Sequence, residues 1–152
     1  KNWLDLTIAT YPADSHKFLK NQKDQFCNPI GSTIETQVDK LFDALVKDIS
    51  DEGLKDILDY FIKMRAVQEF SPSDAVGYIL KLKQSVRNLL GRQIEAGSHY
   101  RELQIFEDRV DNLLLKAFDV YSRSRDAMTQ IRIDEIKRRS YFAFRKLNSE
   151  QE

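Results

Sequence analysis

Apolar residues recur along most of this chain at spacings of three and four, the period of an amphipathic helix. Ile34, Val38, Leu41, Phe42, Leu45, Val46 and Ile49 form one stripe, and Leu54, Ile57, Leu58, Phe61, Ile62, Met64 and Val67 a second. Ala75, Val76, Ile79, Leu82, Val86, Leu89 and Leu90 form a third. Shorter apolar sides belong to Trp3, Leu4, Leu6, Ile8 and Tyr11, and to Phe18 and Leu19. No segment alternates with a period of two for long enough to predict a strand.

The punctuation between stripes predicts where helices start and stop. Pro12 ends the first helix, and Asp14 or Ser15 caps a second through Lys20. Gln22 to Gly31 predicts a loop, after which Ser32 and Glu35 have the spacing of a capping box. Asp51-Glu52-Gly53 interrupts the pattern. Ser71-Pro72-Ser73-Asp74 predicts a fresh start, with Ser71 as N-cap, Pro72 at the first helical position and Asp74 near the positive end of the helix dipole. That helix is expected to run to about Arg92, with a close helix crossing to explain Gly77 inside it. Gly91 and Gly97 bracket the next loop.

Ser98 to Leu147 contains no glycine and no proline. It reads as one very long helix, or as two joined without a strong break. Phe106, Val110, Leu113, Ala117, Val120 and Tyr121 share a face, and Leu114, Leu115 and Phe118 widen it, so this half is expected in the core. Ser122 to Asp126 has no apolar residue and shifts the seam, so a long strict heptad is absent. A bend there, with a second helix folding back, is the alternative to a continuous helix. Met128, Ile131, Ile133 and Ile136 resume the pattern sparsely, and Tyr141, Phe142, Phe144 and Leu147 close it. Fifty helical residues span about 75 Å, roughly twice the breadth of a domain of this length. A continuous helix must therefore run against a partner or lead towards an output. Met128, Ile131, Ile136 and Tyr141 are the candidate dimer or output positions.

The 152 residues suit one domain, 1–152, of all-α class with about six or seven helices and a long C-terminal one. Lysine plus arginine equals aspartate plus glutamate, 24 each, so nothing global favours nucleic acid or an acidic membrane. Locally, Val120 to Leu147 carries eight basic residues against three acidic, a net of +5. Arg123, Arg125, Arg132, Lys137, Arg138 and Arg139 would serve an adaptor for nucleic acid or an acidic partner. Cations at a helix C-terminus are also favoured by the dipole alone, which makes nucleic acid the weaker reading. The single cysteine, Cys27, excludes an intrachain disulfide, fits a reducing, cytoplasmic setting and is expected as a small buried filler. No apolar run approaches a membrane span. The chain begins at Lys1 without a signal-like segment, so native flanking sequence is expected.

Catalytic and cofactor chemistry finds little support. His16 and His99 lie outside any Glu-x-x-His pair, so an intrachain di-iron site is excluded, and one cysteine with two distant histidines does not make a structural zinc site. There is no glycine-rich phosphate loop or Gly-x-Ser-x-Gly elbow. The helix count is globin-like, which keeps a small-ligand or haem-binding globin-like protein as a further alternative, although neither histidine falls where a proximal haem ligand is needed. No cofactor and no enzymatic activity are expected.

Two segments carry a family resemblance: Asn28-Pro29-Ile30-Gly31-Ser32-Thr33, and Arg65 through Ile79 with Phe70-Ser71-Pro72-Ser73 at its centre, followed by Leu82-Lys83. Together they resemble the N-terminal domain family of the RsbT co-antagonist protein RsbRD, over roughly Trp3 to Leu90. The resemblance implies a bacterial sensory domain. Related stressosome RsbR proteins have globin-like N-terminal domains that bind no haem and dimerise, and their last helix leads to an output domain of the STAS type. No STAS segment lies within the sequence to Glu152. Read physically, Asn28 and Pro29 are turn chemistry and Ser71, Pro72 and Ser73 a helix start. Phe61, Met64, Arg65, Gln68 and Tyr78 are the candidate pocket lining, with Arg65 and Gln68 as polar anchors in an apolar setting. The expectation is a homodimeric regulatory domain that signals through its last helix to a fused output domain or a partner protein.

Overall fold

A computed structural model of the chain describes residues 2–22, 24–47, 49, 51–95 and 99–149. Its helices are α1 (Asn2–Ile8), α2 (His16–Asn21), α3 (Pro29–Lys47), α4 (Asp51–Val67), α5 (Pro72–Gly77), α6 (Leu80–Glu95) and α7 (Tyr100–Ser149), with a 3₁₀ turn at Ala13–Ser15. The described residues contain no strand, and the architecture is an all-α bundle with one long terminal helix.

The central residues of each stripe are buried as its period predicts. Ile34 and Leu41 of α3, Leu58, Phe61 and Ile62 of α4, Ile79 and Leu82 near the start of α6, and Val110, Leu113 and Ala117 of α7 are buried in one cluster. α7 packs most extensively on α4, then on α5 and α6. Two ion pairs fasten the α6–α7 seam: Arg87 grips Glu107 at 2.5 and 2.7 Å, and Lys83 meets Asp111 at 2.6 Å. The Arg87 hydrogen bond holds the Glu107 carboxyl below its ordinary range.

The helix after Asn28 starts earlier than the capping box predicts. α3 begins at Pro29, and Ser32 lies inside it. Asn28 is the residue at the start. Its Oδ1 accepts the Gly31 N–H at 2.9 Å, while Nδ2 donates to the carbonyls of Gln22 at 2.9 Å, Leu19 at 3.1 Å and Phe18 at 3.3 Å. One buried amide thus closes the α2–α3 connection. Proline at the first helical position adds a preset φ and misses no donor. The connection works only with glycine at 31: a Cβ there would stand 2.1 Å from Asn28 Nδ2 and 2.6 Å from the Leu19 carbonyl oxygen. Gly31→Ala is expected to cost about 2–3 kcal/mol in a denaturant melt. A loss under about 0.5 kcal/mol would mean that the Asn28 lock gives way freely.

Other boundaries also differ from expectation. Asp51 to Gly53 opens α4 instead of breaking the pattern, and α6 passes through Gly91 to Glu95. Gly97 lies outside the described residues. The 3₁₀ turn precedes α2, and Ser15 makes no cap bond; its hydroxyl donates back to the Pro12 carbonyl. The helix starting at Ser71 breaks at Tyr78–Ile79, where the bonds tighten to Ile79 N–H on the Val76 carbonyl and Lys81 N–H on the Tyr78 carbonyl. The Trp3 indole also donates to the Tyr78 carbonyl, at 2.8 Å, and fixes the break against α1. Gly77 ends α5, and no atom approaches within 4 Å of the position a Cβ would take, so no helix crossing requires it.

Several residues expected inside face out. Phe42, Val46, Val67, Leu89, Leu115 and Phe118 are exposed, because among the described residues no element covers that flank of their stripes, and Cys27 is exposed in the turn before α3. Phe42 and Val46 instead line an apolar cavity of about 330 Å³ with Val86, Leu90, Leu103 and Phe106. An adjoining one of about 480 Å³ reaches to Trp3 and Leu82.

Candidate functional site

The most unusual chemistry in the bundle is a buried cation. Arg65, on the last turn of α4, is 0 % exposed. Its guanidinium lies 4.6 Å from the ring centre of Tyr78, 4.9 Å from Phe61 and Phe70, and 5.2 Å from Tyr11. One terminal nitrogen donates to the Asp74 carbonyl at 2.8 Å and the other to the Thr10 hydroxyl at 2.8 Å. Nε has no acceptor. Among the described residues no carboxylate comes within ion-pairing distance of it. The aromatic faces take part of the place of a counter-ion, because their quadrupoles are negative towards the cation. Burial pushes the guanidinium pKa down, against the opposing pull of Tyr11 and Tyr78. Burial also raises the pKa of both tyrosines, so their hydroxyls remain neutral near pH 7.

Arg65 therefore joins four parts of the chain: the segment after α1, α4, the α4–α5 turn and α5. The turn itself has a Schellman geometry. Phe70 N–H reaches the Arg65 carbonyl and Glu69 N–H the Ala66 carbonyl, both at 3.3 Å, with Glu69 in the left-handed region at φ 62°. Glycine is the usual occupant there, and a side chain costs about 1 kcal/mol. Ser71 then caps α5 by accepting the Asp74 N–H at 3.2 Å, with Pro72 in the first turn, as its sequence predicts. The Ser71 hydroxyl also lies 3.1 Å from that of Ser73.

A cavity of about 370 Å³ opens beside this turn. Phe18, Leu19, Ile30 and Phe70 are among its walls, and Tyr11 and Gln68 form a polar edge with their side chains 3.3 Å apart. Asn28 and Pro29 line it too, so the two segments that carry the family resemblance meet at one place. Of the five residues expected to line a pocket, Gln68 lines this cavity. Tyr78 lines another, of about 370 Å³, beside Thr10, Asp74 and Gly77. Phe61 and Arg65 are fully buried, and Met64 packs half-buried against the core. Tyr11 and Phe18 escape sequence reasoning because they lie far from Gln68 in the chain and carry no motif of their own, and Ile30 falls in the Asn28–Thr33 segment, which reads as turn chemistry.

The same turn touches α7. The Tyr121 hydroxyl donates to the Phe70 carbonyl, Arg125 donates to the Ala66 carbonyl at 3.3 Å, and Arg132 pairs with Glu69 at 2.9 Å. α7 runs through Ser122–Asp126 without the alternative bend. Beyond Arg132 the side-chain hydrogen bonds and ion pairs of the described residues stay within the helix, as in Arg139 to Glu135 at 2.5 Å. Ile131 is 67 % and Ile136 63 % exposed, Tyr141 and Phe142 are exposed, and Met128 is half-buried.

The histidines are dispersed: a His16 ring nitrogen sits 2.7 Å from the Tyr11 carbonyl, and His99 lines the cavity near Phe106. Among the described residues no cluster of histidine, cysteine, aspartate and glutamate is arranged to hold a metal, and no helix is long and apolar enough to cross a membrane.

A helical body with a buried polar hub and a long helix leaving it defines the class of fold as an all-α bundle with an extended terminal helix. The chain belongs to the RsbT co-antagonist protein RsbRD N-terminal domain family, whose model matches residues 1–136. That places it with stressosome-type sensory and regulatory domains. No curated protein and no solved structure matches the chain. The family match ends within α7, which continues to Ser149.

Proposed function

We propose that this is a non-enzymatic bacterial, cytoplasmic sensory domain that acts as a homodimer and passes its signal along α7 to an output domain or a regulatory partner. The observation that carries the reading is α7 itself. Its first half is core, and its second half leaves the body with Ile131, Ile133, Ile136, Tyr141 and Phe142 uncovered. A lone helix in water gains little from apolar residues on its surface, whereas two copies packed about a two-fold axis bury them isologously. The contacts of Tyr121, Arg125 and Arg132 with the α4–α5 turn give the body a grip on the helix. A change in that turn is then a shift or rotation of a helix pair, a transition with two discrete packings.

Sedimentation equilibrium tests this. The chain is expected to dimerise, and Ile131→Asp combined with Ile136→Asp to dissociate the dimer by at least about tenfold in Kd without loss of helicity, since two buried charges oppose the interface. A monomeric parent chain, or a double variant that associates as tightly as the parent, would remove α7 as the assembly element.

A further inference from the structure

The cavity edged by Tyr11 and Gln68 has a chemical bias that its lining alone does not reveal. None of its ten lining residues is charged, and most of its wall is apolar. Behind that wall stands the Arg65 guanidinium, 5.2 Å from the Tyr11 ring centre and 4.9 Å from that of Phe70. Both rings belong to the wall. This cation lacks an ion-pair partner among the described residues. The Asp74 carboxylate is held on the α5 side by the Ser71 hydroxyl at 2.6 Å. A positive charge in a low-dielectric setting, seen through one layer of side chains, favours an anion in the cavity.

The polar edge suits the same group. The Tyr11 hydroxyl is a neutral donor, and its bond to Gln68 Oε1 is long at 3.3 Å. The Gln68 amide nitrogen has no protein partner among the described residues. A carboxylate at this edge would accept from both without burying an unmatched acceptor. Asn28, by contrast, spends its whole amide on the chain and offers nothing to a ligand.

We propose that this cavity binds a small monocarboxylate with an apolar body, its carboxylate at the Tyr11–Gln68 edge and its body against Phe18, Leu19, Ile30 and Phe70. Phe70 links the ligand to the rest of the domain. Its ring lines the cavity, and its carbonyl holds the Tyr121 hydroxyl of α7. The binding stands on the cavity alone; its use as the signal read by α7 rests on the sensory reading above.

Hexanoate and 1-hexanol, titrated into the intact chain by calorimetry and by amide NMR, separate charge from apolar burial. Hexanoate is expected to bind and to shift resonances around Tyr11, Ile30, Gln68 and Phe70, with 1-hexanol about tenfold weaker. Gln68→Glu, at an exposed position that leaves the fold intact, is expected to weaken hexanoate about tenfold and to leave 1-hexanol unchanged. Equal binding of the two probes, shifts centred elsewhere, or no saturation by hexanoate overturns the proposal. Hexanoate binding to a chain that proves monomeric keeps the ligand and removes the α7 relay; a dimer through α7 that ignores hexanoate does the reverse.

Discussion

Replacing Arg65 by alanine is expected to lower the unfolding free energy by about 4 kcal/mol, enough to unfold much of the population of a domain of ordinary stability. Three losses coincide. The aromatic cage of Tyr11, Phe61, Phe70 and Tyr78 is left around a void. The Asp74 carbonyl and the Thr10 hydroxyl lose a donor. The tie between α4, α5 and the segment after α1 is cut. Arg65→Met separates the terms. A flexible thioether side chain fills the cage, makes favourable sulfur–aromatic contacts and removes the cost of burying a charge. It is expected to recover at least half of the loss. Urea melts of the three proteins decide. A loss within about 1 kcal/mol for alanine would show that the cluster relaxes around the gap and that Arg65 holds nothing together.

Leu113→Asp is expected to be still more severe, at upwards of about 4 kcal/mol, and to abolish the cooperative thermal transition seen by circular dichroism. Leu113 is 1 % exposed where α7 crosses the body, within the apolar core cluster. Phe118→Asp is the control on the same helix. The apolar pattern puts Phe118 with the core, but it is 47 % exposed. Its replacement is expected to cost under about 1.5 kcal/mol and to leave a folded domain. Equal damage from both would mean that the body covers a wider face of α7 than its exposure indicates.

The contrast between these neighbours shows where the sequence runs out. Periodicity places both on an apolar arc, and nothing local distinguishes them. Leu113 is covered by the body, while Phe118 points past its edge. The same holds for Phe42 and Leu89, which belong to good stripes and still face solvent. The glycines err in the other direction. Gly53 and Gly91 read as breaks and sit inside helices, since one glycine costs about 1 kcal/mol, which packing along the rest of the helix offsets. The Schellman turn at Glu69 was hidden because its left-handed residue is not a glycine.

What the sequence determined by itself is what depends on residues near one another along the chain. The helical period, the Ser71-Pro72 start and the fifty-residue run without glycine or proline all act through bonds that span about four residues. They specify the all-α class without reference to a neighbour, and leave open at Ser122–Asp126 a bend that α7 does not make. The tertiary structure alone decided which side of each stripe is covered, that Arg65 lies among aromatic rings contributed by distant segments, and that Tyr11, Asn28 and Gln68 share one cavity. Those outcomes depend on how helices far apart in sequence cross. Burial and electrostatic environment belong to the neighbours a side chain meets, and composition along one helix does not name them.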